Sequence, residues 1–244
     1  MFHVPDRYAV NKPLDAKVFT PQGMKKLDKD RIRQSLLTAR LIWQIAGEDI
    51  PSRVDDTYNC SVIMGLECKL KTIKDVAFCA EQVQHMIKAP CVVRFYSGDE
   101  EVYSLAHKRL NQNDDTQIVV LDRVQTPVLS QVFQDKTATL LNEYLDFDAI
   151  KNRTDKLNYY LEAMVKAFLI SHLDLFSGIR PLLDDKIWFN RPDFMKLFVQ
   201  IKELVRLHKE LELVQLPAEK ANTIGKIKAL QEEITRHKGA AYEQ

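Results

Sequence analysis

The residues whose types could do chemistry together lie in one part of the N-terminal half of the chain. Glu67 and Lys69 stand two residues apart, and Asp55 and Asp56 precede Glu67 by twelve and eleven residues. Carboxylates and a lysine in this order can bind Mg²⁺ through oxygen ligands and hold a water molecule for attack on a phosphodiester. The spacing therefore raises the hypothesis of a metal-dependent nuclease that uses these side chains.

A plainer interpretation of the same residues stays open. The PD-(D/E)xK motif of such nucleases calls for a proline before the first aspartate, and neither Asp55 nor Asp56 directly follows one. The short stretch before Tyr58 also leaves little room for a separate strand that would carry Asp55. Glu-x-Lys triplets arise by chance in a chain with 28% charged residues. Glu67 and Lys69 would then form only a solvated or cross-strand-paired edge.

The segment that carries Glu67 and Lys69, Tyr58–Lys71, alternates in polarity along its length. A sustained period of two predicts a β-strand with one buried face and one more polar face. Glu67 and Lys69 fall on the polar face with Ile63 and Gly65, which indicates that this face is partly covered. The even positions form the apolar face: Tyr58, Cys60, Val62, Met64, Leu66, Cys68 and Leu70.

A helix is predicted before this strand. Apolar residues recur at helical spacing over Leu27–Ala46, and Gly47 provides a stop. The other side of this helix is basic, and Lys29, Arg33 and Arg40 could contact DNA phosphates without reading the sequence. A basic flank of this kind is also typical of a solvated helix face, so both interpretations stay open.

The segments after Tyr58–Lys71 predict a mixed sheet. Thr72 suits the start of a helix over Ile73–Ile87, and this crossover permits Cys91–Tyr96 to run parallel to the preceding strand. Turns at 97–100 and 111–115 lead into two further strands of an antiparallel meander. We expect an α+β domain over residues 1–127, with an irregular N-terminal arm over residues 1–24 and a mixed sheet of about four or five strands flanked by helices.

The remainder of the chain predicts helices. Residues 128–191 form a helical connector, and residues 192–244 form a coiled-coil-like antiparallel hairpin that is broken at Leu216-Pro217. Each arm of the hairpin has about three heptads, which is marginal for an isolated helix, so its apolar seam must pack on the protein or on a partner. The seam residues are candidates for partner binding: Leu197, Ile201, Leu204, Leu211, Ile224, Ile227, Leu230 and Ile234.

Composition argues against several other classes of protein. The 35 basic and 34 acidic residues give a net charge of +1, which provides no global attraction to nucleic acid or membrane. Apolar runs fall short of the roughly 20 residues of a membrane span, and the N-terminus lacks a signal-peptide pattern, so we expect a cytoplasmic protein. The four cysteines and six histidines lack metal-ligand spacing, and the cysteines are expected to be buried free thiols.

Other catalytic patterns are missing from the sequence. No glycine-rich phosphate loop occurs, and no serine or cysteine has a suggestively placed histidine. We therefore expect no metal and no cofactor, apart from the Mg²⁺ that the nuclease hypothesis requires.

The order of these features resembles an uncharacterised bacterial family of unknown function. The likeness rests on the segment RIRQSLLTARLIWQIAGEDI followed by a strand that ends in LECKLK, on the internal helix KLNYYLEAMVKAFL, and on the final hairpin. Members of that family look like companions of helicases and DNA methyltransferases in restriction-like, anti-phage gene clusters. The resemblance covers the whole chain and implies that the protein works within a defence complex. It implies no catalytic motif.

Two functions follow as expectations. The first is a non-catalytic adaptor subunit of such a defence complex, which docks a helicase or methyltransferase through its C-terminal helices. The alternative is a Mg²⁺-dependent nuclease subunit that uses Asp55 or Asp56 with Glu67 and Lys69.

Overall fold

A seven-stranded mixed sheet frames the N-terminal part of the computed structural model, which describes residues 2–133 and 135–240. The strands are β1 (Ala9–Leu14), β2 (Leu36–Ile45), β3 (Arg53–Val54), β4 (Asn59–Cys60), β5 (Ile63–Leu70), β6 (Cys91–Ser97), β7 (Glu100–Asn111), β8 (Asp114–Gln125) and β9 (Leu129–Ser130). Across the sheet the order is β1-β2-β5-β6-β7-β8, with β9 beside β7, whereas β3 and β4 pair only with each other. The expected α+β fold class with a mixed sheet is confirmed.

Seven α-helices complete the described part of the chain. They are α1 (Lys26–Ser35), α2 (Val76–Met86), α3 (Lys136–Tyr144), α4 (Lys156–Ile170), α5 (Ile179–Leu182), α6 (Arg191–Leu213) and α7 (Pro217–Ala240). Two compact units divide the chain, Met1–Met164 and Val165–Gln244, and the boundary falls within α4. The proposed domain bounds at residues 127 and 191 stay predictions about which segments fold together. None of the helices in the described ranges combines the length and apolar composition needed to cross a bilayer.

The predicted strand pairings are confirmed on both sides of α2. β5 and β6 run parallel, as a helical crossover permits, while β6, β7 and β8 form the antiparallel meander. Gly98, at φ +57°, provides the left-handed backbone conformation in the tight turn between β6 and β7.

The predicted helix over Leu27–Ala46 is wrong beyond Ser35. The chain leaves α1 at that residue and continues as β2, which pairs with β1 on one side and with β5 on the other. The backbone N–H of Lys71, just after β5, donates to the carbonyl oxygen of Ser35 at 2.8 Å and fixes this change of direction. Pairing on both edges outweighs the helical periodicity of the segment. The predicted irregular arm is also wrong in part, because β1 lies within residues 1–24.

The apolar face of β5 is the inner face of the main core, as predicted for this part of the segment. The single strand predicted over Tyr58–Lys71 is wrong at its start, because a bend at Ser61 separates β4, which pairs with β3, from β5, which begins at Ile63. Leu66, Cys68 and Leu70 are buried there against residues of α1 and α2. The opposite face of β5, which carries Gly65, Glu67 and Lys69, is called the polar face of the sheet below.

The C-terminal unit contains the expected helical hairpin. Three residues, Val214–Leu216, separate α6 from α7, and the two helices pack along their length. Between them the Gln200 side-chain amide donates to Glu233 Oε1 at 2.8 Å, and Lys196 pairs with the same carboxylate at 3.8 Å. A residue early in α6 therefore meets one late in α7, as in an antiparallel pair.

Candidate functional site

A cleft of about 480 Å³ opens on the polar face of the sheet, between the central strands and the segment that holds β9 and α3. We call it the polar-face cleft. Among the residues that line it are Trp43, Gly65, Glu67, Arg94, Glu101, Tyr103, Gln131 and Asn142. Its volume is within the range of small-molecule sites in proteins.

Strand register brings three charged side chains of this cleft into contact. Glu67 on β5 lies opposite Arg94 on β6, and Arg94 lies opposite Tyr103 on β7. Arg94 Nη1 donates to Glu67 Oε1 at 2.6 Å, and Arg94 Nε donates to Glu101 Oε2 at 2.7 Å. The Tyr103 hydroxyl donates to the other oxygen of Glu101 at 3.2 Å. These four residues form a continuous network across three strands.

Partial burial strengthens this network. The side chains of Glu67, Arg94 and Glu101 are 25%, 26% and 14% exposed, so solvent screens their charges less than it would on an open surface. Burial alone lowers the pKa of the Arg94 guanidinium, but the hydrogen bonds to Glu101 and Glu67 outweigh it and hold the pKa above its ordinary value. Burial, and then the charge of Glu101, raise the pKa of the Tyr103 hydroxyl. Arg94 is thus a permanent cation between two carboxylates.

Trp43 packs directly over the backbone of β5. A Cβ at Gly65 would lie 2.0 Å from Trp43 Cε2, so only glycine leaves room for the indole at this position. The Phe2 ring lies near the indole, with ring centroids 6.4 Å apart. These aromatic groups form the apolar part of the cleft.

Asp55 and Asp56 lie elsewhere, in the turn between β3 and β4. The Asp55 carboxylate accepts hydrogen bonds from the backbone N–H groups of Thr57 and Tyr58, at 2.9 and 2.8 Å, and from Arg53 Nε at 2.6 Å. The two backbone donors are the main cause that lowers the pKa of Asp55. Asp56 is exposed in the same turn. Asp55 therefore stabilises a turn of the small two-stranded sheet.

Lys69 is exposed and lies opposite Thr38 and Tyr96, one pleat beyond Glu67. The partner of Glu67 is Arg94, which corresponds to the cross-strand-paired interpretation of this edge. In residues 2–133 and 135–240, no group of three or more histidine, cysteine, aspartate or glutamate side chains is arranged to hold a metal ion. The nuclease hypothesis stays a prediction.

The three basic candidates do not share a helix. Lys29 and Arg33 lie on α1, but Arg40 lies on β2, because the predicted helix ends at Ser35. Lys29 Nζ donates to the Gln22 carbonyl oxygen at 2.9 Å, and Arg33 pairs with Asp30 at 3.8 Å. Arg40 donates twice to Asn11 Oδ1, at 2.7 and 3.1 Å. Each of the three basic side chains therefore has a hydrogen-bond or ion-pair partner within the chain.

The predicted partner-binding seam is mostly used inside the protein. Five of its residues are buried: Leu197, Ile201, Leu204, Ile227 and Ile234. Leu211 and Leu230 are half-buried, while Ile224 is 41% exposed. Apart from Ile224, the large apolar side chains that remain exposed on the hairpin stand outside the seam: Val199 on α6, and Leu213 and Leu216 beside the turn.

Sequence reasoning missed Arg94, Glu101 and Tyr103. Arg94 is the one charged residue within the apolar strand segment CVVRFY, and its position matches the polar side of that strand. This signal could have identified Arg94 as the partner of an acidic residue on the neighbouring strand. The identity of that acid depends on the register between β5 and β6, which local patterns do not define.

A family model described as a domain of unknown function, DUF4391, matches residues 2–234. The match spans nearly the whole chain, and the protein therefore belongs to this family. Neither the curated proteins nor the solved structures contain a significant match to the chain.

Proposed function

We propose that this member of the DUF4391 family is a non-catalytic adaptor subunit that binds a protein partner through the tip of its C-terminal hairpin. The partner class is a helicase or DNA methyltransferase of a restriction-like defence complex, as the resemblance of the sequence implies. The observation that carries the proposal is the exposure of two leucines beside the turn of the hairpin: Leu213 is 81% exposed and Leu216 is 60% exposed.

The hairpin is suited to present these leucines as a preformed surface. Most of its inner seam is already buried, so α6 and α7 are packed against each other without a partner. Leu213, Val214 and Leu216 form what we call the hairpin tip, and they border a shallow pocket. The charged residues around that pocket are Arg206, Lys209, Glu210 and Glu219. An apolar centre with a charged rim is typical of a protein interface.

Arg206 forms two ion pairs on the side of α6 that leads to the tip. It donates to Glu203 at 2.8 Å and to Glu210 at 2.7 Å along the surface of α6. These hydrogen bonds raise the pKa of Arg206, so its charge is constant over any accessible pH. The partner therefore meets fixed charges around the exposed leucines, which restricts the orientations in which it can bind.

The test is co-expression with a helicase or a DNA methyltransferase of the proposed partner class, followed by affinity purification and light scattering. The double variant Leu213→Asp/Leu216→Asp is expected to weaken association at least about a hundredfold, because it places two charges at the centre of the interface. Its fold should be unchanged, since both side chains are exposed.

A matched control is Val199→Asp, which places one charge on an exposed position of α6 away from the tip, where the valine is 62% exposed. This variant should co-purify with the partner as the wild type does. Undiminished binding by the double variant, or equal loss in the control, would overturn the proposal.

The complex purified in that test also distinguishes the adaptor from the nuclease alternative. We expect that DNA incubated with Mg²⁺ and the assembled complex shows no cleavage that depends on Glu67. The wild type and Glu67→Ala should therefore behave identically in that assay. Mg²⁺-dependent cleavage that disappears in Glu67→Ala would instead assign catalysis to this residue.

A further inference from the structure

We propose that the polar-face cleft is a binding site for a guanidinium or primary ammonium group, with Glu67 as its principal carboxylate. This inference is independent of the hairpin tip, since every residue that carries it belongs to the N-terminal unit.

The charge of the cleft favours a cation. Glu67 and Glu101 contribute two carboxylates, whereas Arg94 contributes one guanidinium, so the network has one negative charge in excess. His3, at the rim, already pairs with Asp146 at 3.3 Å. Because the network is three-quarters buried, this excess charge acts in surroundings of lower dielectric than water and attracts a cation more strongly. The same excess disfavours a phosphate or carboxylate ligand.

The hydrogen-bonding capacity of the lining also matches a donor-rich group. Arg94 uses one oxygen of Glu67, and no hydrogen bond within the described residues uses the other. Gln131 donates its side-chain N–H to the Gly98 carbonyl oxygen at 3.3 Å, which leaves its amide oxygen as an acceptor. Asn142 adds a further amide oxygen, and the Tyr103 hydroxyl can accept while it donates to Glu101. Several acceptors are therefore available to a donor-rich group in this space.

The apolar part of the cleft suits the rest of such a ligand. Trp43 and Phe2 form one side, and aromatic rings stabilise both cations and the methylene stems that carry them. A group of this chemistry could come from a lysine or arginine side chain of another protein or from a small organic cation. The two sources share the same contacts with Glu67.

The experiment measures binding of two probes to the full chain by calorimetry and by tryptophan fluorescence. The probes are agmatine and a blocked tripeptide with a central arginine, and the same tripeptide with citrulline is the neutral control. The chain has two tryptophans, so the Trp188→Phe background leaves Trp43 as a reporter within the cleft. We expect saturable binding of at least one cationic probe and at least about tenfold weaker binding of the citrulline peptide.

Glu67→Gln should reduce the affinity for the cationic probe about tenfold or more, because it removes the excess charge at nearly constant shape. Glu212→Gln makes the same chemical change at an exposed position of α6 and should bind as the wild type does. Asn142→Ala, which truncates a half-buried side chain of the lining, should weaken binding without affecting the Glu67–Arg94 pair. Circular dichroism and thermal melting establish that each variant is folded.

Binding of agmatine without the peptide would identify a small cation, and binding of the peptide alone would identify a side chain of another protein; both support the site. The proposal is overturned if neither probe binds at millimolar concentration, if citrulline binds as tightly as arginine, or if Glu67→Gln binds like the wild type.

Discussion

At the scale of single residues, the cleft depends on a glycine that faces a tryptophan. Gly65 and Trp43 lie opposite each other on β5 and β2, and the indole occupies the space where a Cβ would project. The glycine is therefore part of the packing on the polar face of the sheet, and no turn requires it.

Gly65→Ala should destabilise the protein by about 1–3 kcal/mol, because a rigid indole and the backbone of a central strand must both move. Urea denaturation measures the change. Gly225→Ala is the matched control, since a Cβ there meets nothing within 4 Å and the residue lies inside α7. Alanine at that position should stabilise the helix by about 0.5–1 kcal/mol. Equal stability of the two variants would contradict the assigned packing.

The cysteines confirm the sequence prediction of buried free thiols. All four are unpaired and buried. Burial raises the pKa of Cys60 and of Cys79 to about 12, and it also raises the pKa of Cys68 and Cys91. The reactive thiolate is thus almost absent near neutral pH.

A thiol-specific reagent such as Ellman's reagent should therefore leave the native protein unmodified at pH 8. In guanidinium chloride the same reagent should titrate four thiols per chain. Rapid reaction of any native cysteine would show that its surroundings are open to solvent.

At the scale of elements, a tyrosine of α4 joins the sheet where β6 and β7 separate. The Tyr160 hydroxyl donates to the Cys91 carbonyl oxygen at 2.9 Å and accepts from the Ala106 N–H at 2.7 Å. It replaces a missing ladder contact between two buried backbone groups. Nearby, Lys108 Nζ donates to the carbonyl oxygens of Ile87 and Ala89 beyond the end of α2.

Tyr160→Phe should cost about 1–3 kcal/mol of unfolding free energy, because it leaves the buried Ala106 N–H without its partner. It also removes one of two side-chain donors to the Cys91 carbonyl oxygen, which keeps the Gln84 amide at 3.3 Å. The control is Tyr96→Phe, which removes the hydroxyl of a half-exposed tyrosine on β6. That change should lie within about 0.5 kcal/mol of the wild type. A small effect at position 160 would mean that water replaces the hydroxyl.

At the scale of the whole molecule, buried acidic groups link stability to alkaline pH. Burial raises the pKa of the four thiols and of Tyr103, Tyr159 and Tyr160. Each group is held neutral in the folded state, whereas in the unfolded chain it ionises near its ordinary value, about 8.5 for cysteine and 10 for tyrosine. The folded state is therefore favoured below those values and loses this advantage above them.

The unfolding free energy should accordingly be nearly constant from pH 7 to 8 and should fall as the pH rises from 9 towards 11. Urea denaturation at each pH measures the slope. Cys68→Ala removes one of the groups and should show a shallower fall than the wild type. A free energy that rises over this range would have the wrong sign for buried neutral acids.

The sequence by itself determined the features that repeat locally. The alternation over Tyr58–Lys71 identified β5 (Ile63–Leu70) and its buried face, although the first part of that segment pairs in the small sheet instead. The turn residues at 97–100 and 111–115 identified the meander, and the α2 crossover allowed the parallel pair. The apolar seam of the last 50 or so residues likewise identified a helical hairpin. These features were predictable because a periodicity of two or 3.6 is imposed by the local backbone.

Only the tertiary structure decided what depends on residues far apart in the chain. Residues 36–45 carry a helical pattern, yet they form β2, because strands on both sides supply its backbone hydrogen bonds. Glu67 was recognised as a candidate, but its partner is Arg94, 27 residues away, and the β5–β6 register alone brings the two together. The sequence predicted the apolar seam of the hairpin. The exposure of the apolar residues at its tip became apparent only from the structure, in which most of the seam is buried. In each case the structure is decided by the energy of contacts between elements. The local periodicity of the sequence does not specify those contacts.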